Sequence, residues 1–102
     1  MKVVWTEPAE TDLDDLFDYI ARDSAVYAER FIDRILDAVA TLDELPRRGR
    51  QVPEANETHI RELIVQSQRV IYAVDDSNET INILALVHVR RDLVSQEYPP
   101  WR

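Results

Sequence analysis

The side chains best equipped for chemistry in this sequence are arginines. Residues 46–102 hold eight of them (Arg47, Arg48, Arg50, Arg61, Arg69, Arg90, Arg91 and Arg102) and no lysine. A guanidinium stays charged at physiological pH and presents a rigid fork of donors, which suits bidentate capture of a carboxylate or a phosphate. His59 and His88 stand apart without any metal-ligand spacing, so no metal site is expected. His88 can serve as a structural hydrogen-bonder at a strand end or as a functional group. The acids Asp12, Asp14, Asp15 and Asp18 crowd one stretch, but they suit a solvated helix face better than a metal centre. There is no cysteine, which removes disulfides and thiolate ligands and fits a reducing cytoplasm. A single glycine leaves no room for a glycine-rich phosphate loop, and no cofactor is expected.

Charge is distributed unevenly. The formal net charge is −8, and residues 1–45 carry all of it, with twelve acids against Lys2, Arg22, Arg30 and Arg34. In residues 46–102 eight acids and eight bases cancel. A uniformly acidic chain repels nucleic acid, whereas a two-faced one can still bind it locally. The 102 residues, 45% hydrophobic and 31% charged, suit one folded domain over 1–102 rather than a disordered chain. No apolar run approaches the ~20 residues of a membrane span and no leader is evident, so no membrane association is expected.

The elements that must position these arginines follow from periodicity. Residues 2–6 are β-branched and aromatic and read as a strand. Pro8 suits a first helical turn capped by Thr6 or Glu7, and Ala9, Leu13, Leu16, Phe17, Ile20 and Ala21 form one helical stripe. Ser24 caps a second helix whose stripe runs from Ala28 to Leu45, where Pro46 ends it. So short a turn makes the two helices an antiparallel hairpin. After a basic loop at 46–53 come β-rich runs at 59–65, 69–74 and 81–89, joined closely enough to pair antiparallel. The order β-α-α-β-β-β gives an α+β fold, with a helical hairpin on one face of a small, mostly antiparallel sheet.

Strand parity then places the side chains. Ile81, Ile83, Ala85, Val87 and Val89 make one apolar face that should meet the helices, as should Val70, Tyr72 and Val74. For 59–65, parity does not choose between the set with Arg61 and the set with Glu62. If Arg61 points away from the helices, then Arg61, Arg69, His88 and Arg90 form one polar cluster on the helix-free face. Ile71, Leu84 and Leu86 would lie on that face as an exposed apolar patch, a mark of a binding site. Trp5 and Tyr72 read as core, whereas Tyr98 and Trp101 belong to an extended aromatic tail and are natural partner anchors.

Several segments carry a resemblance. The opening Val-Val-Trp-Thr-Glu-Pro-Ala-Glu-Thr-Asp-Leu, Asp-Tyr-Ile-Ala at 18–21, the Leu-Pro and Gly-Arg pairs of 45–50, Ile-Arg-Glu-Leu at 60–63, Arg-Val-Ile-Tyr-Ala-Val at 69–74 and His-Val-Arg-Arg-Asp-Leu at 88–93 resemble the RelE/ParE toxin superfamily. The likeness spans nearly the whole chain. It implies the toxin of a type II toxin–antitoxin pair, neutralised in a hetero-oligomer by a cognate antitoxin, with the fold already read from periodicity.

The resemblance implies one of two activities. RelE-like members enter the ribosome and cleave messenger RNA, which requires a base, an acid and a clamp on the phosphorane. Arg61, Arg69, Arg90 and Tyr98 would carry that chemistry here. ParE-like members inhibit DNA gyrase by binding it, and target contacts would then come from Arg61, Arg69, His88, Arg90, Arg91, Tyr98 and Trp101. The sheet lysines of the ribonucleases are missing, Tyr98 lies far beyond Arg90, and the acidic helices suit ribosomal RNA poorly. These features favour the gyrase reading. A third possibility is an inactive homologue that still binds antitoxin. Ile71, Leu84, Leu86, Arg47, Arg48 and Arg50 are the expected antitoxin contacts, the arginines being otherwise a solvated loop. On this reading Arg69→Ala lowers toxicity and leaves the fold intact.

Overall fold

The computed structural model describes residues 1–94 and 98–102. It contains β1 (Lys2–Trp5), α1 (Glu7–Ala21), α2 (Ala25–Ala40), a 3₁₀ turn (Thr41–Asp43), β2 (Arg50–Gln51), β3 (Ile60–Val65), β4 (Gln68–Asp75) and β5 (Thr80–His88). The sheet order is β1-β5-β4-β3-β2, with β1 parallel to β5 and all other neighbours antiparallel. The helical hairpin is the crossover that the parallel pair requires.

Both helix starts are side-chain caps. The Thr6 hydroxyl accepts from the Ala9 amide at 3.4 Å and donates to the Ile83 carbonyl at 2.6 Å, tying the start of α1 to β5. The Ser24 hydroxyl accepts from the Tyr27 amide at 3.1 Å. α2 ends five residues before the expected Leu45. The Thr41 hydroxyl donates to the Ala38 carbonyl, the chain tightens into the 3₁₀ turn, and that turn still buries Leu42 in the core. β2 falls within the expected basic loop: it is two residues long with both side chains exposed, and it pairs with β3 at Arg50–Glu62 and Gln51–Arg61.

The decisive departure from simple alternation lies in β5. Ile71 pairs with Ala85 but Tyr72 pairs with Ile83, so Leu84 is an extra residue, a β-bulge. The bulge reverses the parity beyond it. Ile81, Ile83 and Leu86 join Val70, Tyr72 and Val74 against Ala9, Phe31, Ile35 and Val39 of the helices. Ala85 and Val87 turn to the opposite face, where they pack with Ile71, Val52, Ile60 and Leu93, flanked by Leu84, Ala73 and Trp101.

This corrects the expected bare face. A sheet apolar on both sides needs two covers, and the 52–60 connection with Leu93 and Trp101 supplies the second. Ile71 is fully buried there, Leu86 is buried beneath the helices and Leu84 is half-buried, so they form no exposed patch.

Asp12 stabilises the bulge. Its carboxylate accepts from the Leu86 amide at 3.0 Å, satisfying a donor next to the bulge, where β1 no longer runs alongside. Burial raises its pKa above the ordinary 3.8, opposed by that hydrogen bond and by the charge of Arg91. Asp12→Ala should therefore lower stability by about 1–3 kcal/mol, the usual loss for an unsatisfied buried donor, as measured by urea unfolding. Asp12→Asn, which keeps an acceptor without a desolvated charge, should be at least as stable as wild type at neutral pH. As the pH falls through the raised pKa, the wild type loses its penalty and the two should converge.

Candidate functional site

β4 alternation places Arg69 on the helix-free face beside Ile71 and Ala73, and β3 places Glu62 on the same face. The two meet across the strand pair. Arg69 Nε donates to Glu62 Oε1 at 2.5 Å, and its two terminal nitrogens donate to Glu54 Oε2 and Oε1 at 2.7 and 2.8 Å. Arg50 Nε donates to the other Glu62 oxygen at 2.6 Å. Arg69 is 5% exposed, and the Glu62 side chain is fully buried. The four charges alternate in sign and cancel. Glu54 thereby staples the 52–60 connection onto the sheet.

The electrostatics follow from the geometry. The Arg69 hydrogen bonds hold the Glu54 carboxyl below the ordinary glutamate range, against the opposing effect of burial. Glu54, and after it Glu62, push the Arg69 guanidinium above its usual value despite its burial. In such a network, removing one partner leaves a buried charge without compensation.

Arg61 lies on the other face. It pairs with Tyr72 across β3–β4, on the helix side of the sheet, and donates to the Gly49 carbonyl at 2.9 Å. The Gly49 amide in turn donates to the buried Tyr72 hydroxyl at 2.9 Å. A Cβ on Gly49 would stand 2.4 Å from the Glu62 carbonyl oxygen and 2.6 Å from that hydroxyl, so no larger residue fits here. Burial pushes the Tyr72 phenol up, while the Gly49 amide and the charges of Arg61, Arg48 and Arg47 pull it down.

The expected cluster of Arg61, Arg69, His88 and Arg90 therefore does not form. Arg61 and Arg69 stand on opposite faces because adjacent parity sets, one through Arg61 and one through Glu62, divide β3 between the two cores. His88 is exposed at the end of β5, its Nδ1 accepting from the Arg90 amide at 3.1 Å, with Arg90 exposed beyond it. Arg91 lies near Asp12 and, with Tyr98, lines a groove of about 590 Å³ between the start of α1, β5 and the tail. Tyr98 is 80% exposed, whereas Trp101 is half-buried against the second core. In the basic loop, Arg47 pairs with Asp76 at 2.6 Å, Arg50 with Glu62, and Arg48 donates to the Thr41 hydroxyl at 2.7 Å. Among the described residues no group of three or more acids and histidines could hold a metal ion, and no helix is long and apolar enough to cross a membrane.

Sequence reasoning allowed Glu62 as an ion-pair partner of Arg61 or Arg69, but did not single out Glu54 or Asp12 as structural. The available signal was Glu62 alternating with Ile60 and Ile64, an acid in an apolar parity set that demands a buried cation. The geometry reverses the expectation that Arg69→Ala spares the fold. That substitution should destabilise the protein by about 3–5 kcal/mol in denaturant titrations, the usual loss when a buried pair is broken. Because the folded-state pKa of Glu54 is depressed, its contribution is complete above the ordinary value of 4.5 and is lost as the pH falls through the lowered value. Glu54→Gln should flatten that acid limb, whereas an unchanged acid limb would remove Glu54 from the network.

Comparison with known proteins agrees with this architecture. Residues 3–93 match the family model described as the ParE toxin of the type II toxin–antitoxin system parDE. The chain is 36% identical over 91 residues to Toxin RelE2 of Caulobacter vibrioides, covering 88% of this chain and 97% of that protein. Two solved structures share the fold. The chromosomal ParDE system of P. aeruginosa matches with a TM-score of 0.71 at 23% identity, over 86% of this chain and 95% of that one. The RelBE2 toxin–antitoxin complex of Mycobacterium tuberculosis matches with 0.64 at 22% identity, over 85% and 95%. From the arrangement of its two cores to the match over residues 3–93, this chain belongs to the ParE family of type II toxin–antitoxin toxins.

Proposed function

We propose that this toxin arrests growth by binding DNA gyrase, in the cytoplasm, and that a cognate antitoxin neutralises it in a hetero-oligomeric complex. The observation that carries a binding mode over RNA cleavage is the state of Arg69. Its guanidinium is buried and its three donor nitrogens are all taken by Glu54 and Glu62. A phosphate clamp needs donors free to meet developing negative charge, and these are already neutralised. Arg61 faces the opposite side of the sheet, so the two cannot act on one phosphate. The solved complex of a fold relative with its antitoxin supports the antitoxin partner.

On this reading Arg69 is a positioning residue, and Arg61 braces the Gly49 turn. Target contacts then fall to groups that reach solvent, namely His88, Arg90 and Arg91 at the end of β5 together with Tyr98 and Trp101 of the tail. Arginine and aromatic side chains gathered at one end of the molecule suit a protein partner better than a catalytic centre. The acidic helical surface agrees, since it would weaken docking among ribosomal phosphates.

The test adds purified toxin to gyrase supercoiling reactions and, separately, to translating ribosomes with a defined message. Inhibited supercoiling with intact message is expected, and Arg90→Ala with Tyr98→Ala should weaken inhibition at least ~10-fold without changing the melting temperature. Codon-positioned cleavage with normal supercoiling would establish the ribonuclease instead. Silence in both assays with antitoxin binding retained would mark an inactive homologue.

A further inference from the structure

Three arginines of the second half hold carboxylates of their own chain, and two that hold none share one corner. Arg47, Arg50 and Arg69 each hold a carboxylate within 2.7 Å. Arg48 and Arg61 have no carboxylate within ion-pair distance among the described residues. The Arg48 side chain donates to the Thr41 hydroxyl, and the Arg61 side chain to the Gly49 carbonyl. Arg61 Nε is moreover buried with no hydrogen-bond partner. The two meet at one turn, because Arg61 holds the carbonyl of Gly49, the residue that follows Arg48, and the Gly49 amide is fixed by the Tyr72 hydroxyl. Two uncompensated cations, with an unsatisfied donor beside them, make an uncommon arrangement in a chain of net charge −8.

We propose that Arg48 and Arg61 form a carboxylate-binding site that takes an acidic segment of a protein partner. Guanidinium forks match a planar carboxylate in two-point contact. The surroundings select a peptide over a polyphosphate. Asp43 and Glu44 are exposed next to the corner, so a polyphosphate with a charge on every unit would meet more repulsion than a peptide whose acids alternate with apolar residues. Leu45, among the most exposed large apolar side chains of the described residues, lies three residues before Arg48 and offers contact to an apolar neighbour in the incoming segment. The site therefore reads an acid flanked by an apolar residue. It does not depend on gyrase being the target, and it narrows the basic loop's binding role from Arg47, Arg48 and Arg50 to Arg48 with Arg61.

The test uses the full chain and three probes: a capped peptide of alternating leucine and glutamate, the same peptide with glutamine for glutamate, and a twelve-nucleotide oligothymidylate. Binding is followed by the arginine Nε–H signals in ¹⁵N NMR and by fluorescence anisotropy. The glutamate peptide should move the Arg48 and Arg61 signals, and the glutamine peptide should bind ~10-fold or more weakly, as expected for loss of charge-assisted hydrogen bonds. Arg48→Gln, at an exposed position that leaves the fold undisturbed, should weaken the glutamate peptide by a similar factor at unchanged melting temperature. Three outcomes would overturn the proposal. They are unmoved arginine signals, unaltered affinity in Arg48→Gln, or oligothymidylate binding at the same two arginines as tightly as the glutamate peptide.

Discussion

A cation drawn out of water must bring its compensation with it, and Arg69 sets that requirement for this structure. Its guanidinium sits between β4, β3 and the 52–60 connection and is satisfied only when Glu62 and Glu54 both reach it. Glu62 belongs to the sheet, but Glu54 does not, so the ion pairs fix the connection as well as the strands. With Glu54 in place, Val52 and Ala55 lie over Ile60, Ile71, Ala85 and Val87, and a second apolar core closes on the face away from the helices. Buried pairs of this kind add little net stability over apolar packing, but once present they penalise every arrangement that separates them. They thus specify one path for a connection of few regular elements.

The bulge at Leu84 is the complementary device. Without it β5 would present a single apolar face, and the side beneath the 52–60 connection would lack Ala85 and Val87. The extra residue lets one strand serve two cores, and Asp12 from α1 satisfies the Leu86 amide beside it. With both faces of the sheet committed to packing, neither is bare for another macromolecule, and the contacts proposed above lie at its ends. One end carries His88, Arg90, Arg91 and the aromatic tail; Arg48, Arg61 and Leu45 make a separate corner near the 3₁₀ turn.

Much of this was legible in the sequence, and the rest was hidden for definite reasons. The helical stripes, the Thr6 and Ser24 caps and the three β-rich runs each follow from a local pattern that packing had no reason to override. Tyr72 was readable as core for the same reason. The bulge was not readable, because nearly every residue from Ile81 to Val87 is apolar and both parities score alike. Losing the bulge misplaced Ala85, Val87 and Leu86, and with them the supposed bare face. The glutamates of the network look like ordinary solvated acids until tertiary pairing is known, and β2 has no side-chain pattern at all. Among the residues of the segments that carry the resemblance, Gly49, Arg50, Glu62 and Arg69 are ones the tertiary contacts use.

The charge of Arg69 thus serves the architecture, and the proposed binding falls to groups that reach solvent. Replacing the network by apolar residues separates these roles, since a well-packed substitution can preserve the fold while abolishing the charges. The direct measurement is inhibition of gyrase supercoiling by the triple variant Arg69→Met, Glu54→Leu, Glu62→Leu, with folding checked by circular dichroism. A folded variant that inhibits as the wild type does is the predicted result. A folded variant that has lost inhibition would contradict the account, because it would return Arg69 or its partners to the functional surface.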